Sequence, residues 1–192
     1  MAAEITSVIL GYILGSTPSA YIVGRLVGKI DVRTEGDGRI SASVVHRKLG
    51  LLSFLLVVVM DVAKGAIAVI IAGLLTDSLI IVLLSGFAAV LGHNWSVFMK
   101  FKGGLGATVT YGVLVTLVWW QTLIAAAVGG ILFFTIKKSG LGTAVLIGII
   151  TAILLAQYLF WNGPLILVPY PLVLILLMVL KRIQIRIAPI KW

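Results

Sequence analysis

The chain reads as an all-α integral membrane protein, a compact bundle of about seven transmembrane helices, and three observations predict this. Apolar residues make up 61% of the 192 residues and charged ones only 11%. With a mean hydropathy of +1.21, that leaves too little polar surface to coat a water-soluble globule. The apolar residues gather into seven runs, roughly 5–24, 51–75, 78–98, 105–120, 122–136, 140–160 and 163–180. With those boundaries, fourteen of the fifteen Lys and Arg residues, all but Lys64, fall in the odd-numbered connections and the tail. The positive-inside rule then sets the N-terminus outside and the C-terminus in the cytoplasm.

The first run follows Met1–Glu4 with no basic segment before it, so it reads as a transmembrane helix rather than a cleaved signal. Gly11 and Gly15 give it the G-x-x-x-G spacing of close helix packing, and Pro18 predicts a kink next to Ser16. The one long connection, 25–50, carries six basic and three acidic residues with glycines at 28, 36, 38 and 50. It ends in an amphipathic stretch, Ile40 to Leu49, expected to lie along the cytoplasmic face as a short helix. The second run holds Asp61 and Lys64, and the third ends in Gly92-His93. A glycine-rich segment, Gly103, Gly104 and Gly106, precedes the fourth run on the same side as the long connection, so the two are expected to meet. That fourth run is barely long enough to cross. Trp119, Trp120, Tyr158 and Trp161 fall at the opposite interface as an aromatic belt, and Pro164, Pro169 and Pro171 crowd the start of the seventh run. Seven short helices use nearly all of residues 1–192, which implies a single membrane domain.

Composition also excludes. A net charge of +9 would suggest nucleic acid in a soluble protein, but here the cations sit at membrane boundaries, where anionic headgroups account for them. No nucleic-acid partner is expected. The absence of cysteine removes disulfides, thiolate metal sites and a cysteine nucleophile. No second histidine lies at helical spacing from His93, so no metal is expected.

Three places carry chemistry. Asp61 and Lys64, spaced i, i+3, share a helix face well inside the bilayer, where ionised groups mark function by default; the competing reading is a structural ion pair. His93 is either a satisfied hydrogen-bonding group or a substrate contact. Phe101-Lys-Gly-Gly-Leu-Gly106, opening the fourth run, is either a tight interhelical turn or a phosphate cradle at a helix N-terminus, with Arg33, Arg39, Arg47 and Lys102 on the same side.

Taken together, Gly15-Ser16, Asp31-x-Arg33, Gly36-x-Gly38, Arg47 before Leu49-Gly50, Asp61-x-x-Lys64-Gly65, Gly92-His93 and Phe101-Lys-Gly-Gly-x-Gly106 resemble the acyl-phosphate-dependent glycerol-3-phosphate acyltransferases of bacteria. The register holds over nearly the whole chain. The resemblance implies a seven-helix enzyme of the bacterial plasma membrane with its active site facing the cytoplasm. It would move a fatty acyl group from acyl phosphate to the 1-hydroxyl of glycerol 3-phosphate, giving 1-acyl-glycerol 3-phosphate for phospholipid synthesis, without a cofactor. Membrane lipids and the enzyme that produces acyl phosphate are the further partners implied. Ser43, Arg47, Lys64 and His93 stand at catalytic positions. Ser16, Arg33, Gly36, Gly38, Arg39, Lys102, Gly103, Gly104 and Gly106 stand at substrate-binding positions, with Asp61 as a structural ion-pair partner.

The departures are specific. Asp37 introduces a negative charge in the 36–44 loop, where two asparagines, a serine and a glycine of the family pattern are missing. Leu105 replaces the second lysine of Phe-Lys-Gly-Gly-Lys-Gly, and the polar run after the seventh helix is reduced to Lys181, Arg182, Gln184, Ile185 and Arg186. Arg39 and Arg186 are the candidate replacements for the lost cation. Two other readings compete: a catalytically degenerate paralogue with a scaffolding role, and a small transporter built around Asp61 and Lys64.

Overall fold

The computed structural model describes residues 1–35, 40–136, 139–188 and 192, with the side chains of 130–136 and 139–141 outside that description. Among these residues the chain runs through α1 (Ala2–Ser16), α2 (Ser19–Val27), α3 (Ala42–Leu75), α4 (Leu79–Asn94), α5 (Ala107–Leu117), α6 (Trp119–Ile136), α7 (Ser139–Trp161) and α8 (Tyr170–Ile187). The expected helical membrane fold is therefore present, with the seven apolar runs appearing as helices. Five segments are long and apolar enough to cross a bilayer: Ala2–Val27, Ala42–Leu75, Leu79–Met99, Gly142–Trp161 and Leu165–Ile187. α5 has 11 residues, which span only about 16 Å at 1.5 Å per residue, well short of a hydrocarbon core of about 30 Å. It is shorter than the 105–120 run because the glycine turn delays its start.

Two breaks shape the rest. Pro18 has no amide proton and its ring clashes with the preceding turn, so the first span divides into α1 and α2 on either side of Thr17 and Pro18. Gly50 breaks α3 with φ +80° and ψ −174°, a left-handed value that glycine adopts without a Cβ clash. The amphipathic stretch before it does form a helix, from Ala42 onward, and the membrane segment follows from Leu51.

The chain divides into two compact units, Met1–Val113 with Leu177–Trp192, and Leu114–Leu176. In the first, small residues let backbones touch. A Cβ on Gly11 would overlap the Ser85 carbonyl, one on Gly15 that of Ala89, and one on Gly92 that of Tyr12, which seats α1 against α4. Gly65 meets the Val109 carbonyl and Gly112 the Val62 carbonyl, seating α5 against α3. The Ser85 hydroxyl lies 3.0 Å from the carbonyl oxygens of both Ser7 and Ala68, linking α4 to α1 and α3. The connection after α2 is held by a buried cluster in which Val32, Ile40, Val44 and Val45 pack with Ala20, Val23, Val57 and Met99. In the second unit α6 packs on α7, and Gln121 donates through Nε2 to Gln157 Oε1 at 2.8 Å.

Candidate active site

The gap between α1 and α2 opens a cleft lined by Ser16, Thr17, Ser19, His93, Ser96 and Gly104. The Ser16 hydroxyl oxygen is buried without a hydrogen-bond partner among the described residues, and the buried Ser19 hydroxyl lies beside the Asp61 carboxylate. Buried hydroxyls are ordinarily satisfied, so the Ser16 hydroxyl leaves the cleft wall open to one further small polar group.

Beneath it lies the ion pair read from the i, i+3 spacing. Lys64 Nζ is 2.9 Å from Asp61 Oδ1, with the two side chains 7% and 5% exposed. Lys64 also donates to the Thr17 carbonyl oxygen at 2.9 Å, and Asp61 Oδ2 accepts from the Thr108 hydroxyl at 2.9 Å. His93 Nδ1 stands 3.7 Å from Asp61 Oδ1. One neutralised pair therefore ties the α1–α2 break, α3, the end of α4 and the start of α5. Taking two charges out of water is costly unless both are paired and hydrogen-bonded, and here both are.

The glycine turn is built against His93. Gly103 and Gly104 donate their amides to the carbonyls of Asn94 (3.2 Å) and His93 (3.1 Å). These two amides are thus engaged within the protein rather than free for a ligand. A Cβ on Gly104 would overlap the His93 ring and one on Gly103 the His93 carbonyl. Gly106 has φ +83°, so it too requires glycine. Just before the turn, Lys100 and Phe101 adopt left-handed φ values of 49° and 60°, each costing about 1–2 kcal/mol relative to ordinary backbone. The turn is held by Phe101 N donating to Ser96 O at 2.8 Å and by the Ser96 hydroxyl donating to Ser16 O at 2.5 Å.

The basic residues divide into several settings. Arg33 is bound to Asp31 through Nε and Nη2 at 2.9 and 2.7 Å, and Arg25 reaches the same carboxylate at 2.5 Å. The Arg33 hydrogen bonds hold the Asp31 carboxyl at about 2, below the usual carboxylate range, and Asp31 in turn pushes the Arg33 guanidinium up. Lys102 stands over the Trp192 ring, 5.0 Å from its centroid. Ser43 and Arg47 are exposed on the first turns of α3 and do not line the cleft; Ser43 Oγ is 3.0 Å from Ser41 Oγ. Gly36, Gly38 and Arg39 lie outside the described residues.

Sequence reasoning missed several groups here. Thr108 and Ser19 complete the polar floor and cleft wall, yet lone hydroxyl residues in apolar runs give no signal. The sequence puts Lys181 among the boundary cations, in the polar run after the seventh helix. It is instead 1% exposed, 5.1 Å from the Trp95 ring centroid, with Nζ 3.5 Å from the Phe101 carbonyl and 3.3 Å from Gln184 Oε1. Its position beside the turn follows from α8 continuing through it to Ile187.

A family model described as Glycerol-3-phosphate acyltransferase matches residues 5–188 of the chain. The protein belongs to that family. A glycerol-3-phosphate acyltransferase of Endomicrobium trichonymphae is 37% identical over 143 residues, covering 74% of this chain and 72% of that one. Another, of Thermoanaerobacter pseudethanolicus, is 38% identical over 163 residues, covering 85% and 80%. The crystal structure of PlsY, an integral membrane glycerol 3-phosphate acyltransferase in its glycerol 3-phosphate form, superposes with a TM-score of 0.80. It is 26% identical and covers 98% of this chain and 95% of its own. As a glycerol-3-phosphate acyltransferase the protein is a multi-pass enzyme of the bacterial cell membrane that serves phospholipid synthesis. Scaffolding and transport readings give way to acyl transfer.

Proposed function

We propose that this acyltransferase moves a fatty acyl group from an acyl phosphate to the 1-hydroxyl of glycerol 3-phosphate, in the cleft at the α1–α2 break, on the cytoplasmic side of the membrane. The observation that carries this reading is the family match over residues 5–188, which spans every motif that lines or supports the cleft. PlsY structures have a glycerol 3-phosphate form and a lysophosphatidic acid form, a substrate and product of the kind proposed here. The positive-inside distribution supports the cytoplasmic orientation, and acyl phosphate would reach the site from the enzyme that produces it.

In this reading the glycerol hydroxyl oxygen attacks the acyl carbonyl carbon, the bond from that carbon to the phosphate oxygen breaks, and inorganic phosphate departs. His93, in the cleft wall with Asp61 behind its Nδ1, takes the hydroxyl proton. A mixed anhydride already has a good leaving group, so positioning and charge neutralisation supply most of the acceleration. Ser16 offers its hydroxyl to a substrate oxygen. Lys102 and Lys181 face the phosphates, with Lys181 supplying cationic charge that Leu105 lacks. Lys64 acts by holding the Thr17 carbonyl and Asp61, while Ser43 and Arg47, on the first turns of α3, together with Gly36, Gly38 and Arg39, contact the substrates.

Purified protein in liposomes, given palmitoyl phosphate and labelled glycerol 3-phosphate, should form 1-palmitoyl-glycerol 3-phosphate, and palmitoyl-CoA should not substitute. Transfer from palmitoyl-CoA alone would overturn the choice of donor.

A further inference from the structure

We infer that a cavity where α6 begins and α7 ends is a second binding site, taking the primary ammonium headgroup of an ethanolamine-type phospholipid with the Gln121 side-chain oxygen as its acceptor. The cavity has a volume of about 240 Å³, and its lining includes Trp119, Trp120, Gln121, Leu154, Gln157 and Pro164. All of these residues belong to the unit Leu114–Leu176. Gln121 is 5% exposed and donates through Nε2 to Gln157 Oε1 at 2.8 Å. A bond of that kind is ordinary glue between membrane helices, but it uses only the nitrogen of the Gln121 amide. Gln121 Oε1 is buried with no hydrogen-bond partner among the described residues. Buried amide oxygens are ordinarily satisfied, so the cavity wall presents an acceptor that calls for a donor.

Position and chemistry choose that donor. α7 runs for 23 residues from Ser139 to Trp161, about 35 Å at 1.5 Å per residue, enough to cross a hydrocarbon core of about 30 Å. Its end therefore lies across the bilayer from the Lys137–Lys138 connection that precedes it, on the side that the positive-inside rule assigns away from the cytoplasm. Exposed Trp119, Trp120 and Trp161 put this end at headgroup depth, where interfacial aromatics sit. The Gly163 amide donates to the Gln157 carbonyl at 3.1 Å, which folds the segment after α7 back to form one wall. Among the described lining residues none is Lys, Arg, Asp or Glu. Nothing in the wall then balances an anionic headgroup, whereas a zwitterionic one is neutral by itself. Indole faces attract ammonium groups, and a primary ammonium has three N–H donors, one for Gln121 Oε1 and others for water or the lipid's own phosphate. The volume is about eight times the ~30 Å³ share of one water in the liquid, so it admits the amine and its two carbons.

The test titrates the full-length protein in detergent with dioctanoyl phosphatidylethanolamine, dioctanoyl phosphatidylcholine and dioctanoyl phosphatidylglycerol, and reads bound lipid by native mass spectrometry. The choline lipid keeps the positive charge and lacks N–H donors; the glycerol lipid has hydroxyl donors and a net negative charge. The parent should bind the ethanolamine lipid about fivefold more tightly than either of the others, as one added hydrogen bond of ordinary strength would give. Gln121→Met, which removes the acceptor at similar volume, should bring the three affinities within about twofold of one another and leave acyl transfer in liposomes within about twofold of the parent. The comparison of headgroups on the parent needs no variant, so it decides the question even if Gln121→Met fails to fold. Equal affinity for all three lipids, preference for the choline or glycerol lipid, or binding of none of them would overturn the inference, the last by leaving the cavity to water alone. Full selectivity retained in Gln121→Met would overturn the assignment of the acceptor. None of these outcomes bears on acyl transfer in the cleft, which is measured separately.

Discussion

Lys64 Nζ lies 2.9 Å from the Thr17 carbonyl oxygen and 2.9 Å from the Asp61 carboxylate, so one buried ammonium joins the break in the first span to the middle of α3. The carbonyl it caps adjoins Pro18, where the helix ladder is interrupted. The same carbonyl accepts from the Ser19 amide at 3.1 Å, so the ammonium adds a second donor at the break and ties it to α3.

Lys64→Met should destabilise the protein by about 3–5 kcal/mol, because it leaves Asp61 buried and unpaired, and should abolish acyl transfer. Asp61→Asn/Lys64→Met should recover much of the stability and none of the activity. Thermal unfolding in detergent and acyl transfer in liposomes read the two effects separately. Equal stability of the single and double variants would contradict the pairing.

Gly104→Ala should cut activity at least roughly tenfold, since its Cβ would displace the His93 ring. Gly73→Ala meets nothing within 4 Å and should raise stability by up to about 1 kcal/mol with unchanged turnover. Steady-state kinetics on the two variants makes the comparison, and similar losses in both would remove the special role of the turn.

Asp31 has a lowered folded-state pKa of about 2, against an ordinary 3.8. Its contribution to stability is present above the ordinary value and is lost as pH falls through about 2. Asp31→Asn should thus be less stable than the parent at pH 6, with the difference shrinking below pH 4. Unfolding curves of both proteins across that range provide the check.

Lys181→Met should weaken acyl transfer roughly tenfold or more, and Leu105→Lys in the same background should restore part of it. Leu105→Lys alone should change KM for the phosphate substrates without being needed for turnover. No gain from Leu105→Lys in the Lys181→Met protein would show that the two positions do not share a role.

The helices were legible because hydropathy in a membrane is close to a direct readout of element length, and the glycines at 11, 15 and 92 pack as their small size requires. The Asp61–Lys64 pair followed from helix spacing alone. What escaped were contacts between distant segments. Nothing local in the sequence says that Lys64 reaches Thr17, that Thr108 caps Asp61, or that Lys181 turns inward beside Phe101. The phosphate-cradle reading of the glycine turn treated its glycines as freeing amides. Two of those amides are bonded to α4, and the missing side chains make room for His93.

The decisive experiment incubates purified protein in liposomes with palmitoyl phosphate and labelled glycerol 3-phosphate, alongside His93→Ala. The parent should give labelled 1-palmitoyl-glycerol 3-phosphate with stoichiometric phosphate release, and His93→Ala should lose about a hundredfold or more of that rate. Product formation at the parental rate in His93→Ala, or none in the parent, would contradict acyl transfer with His93 as its base.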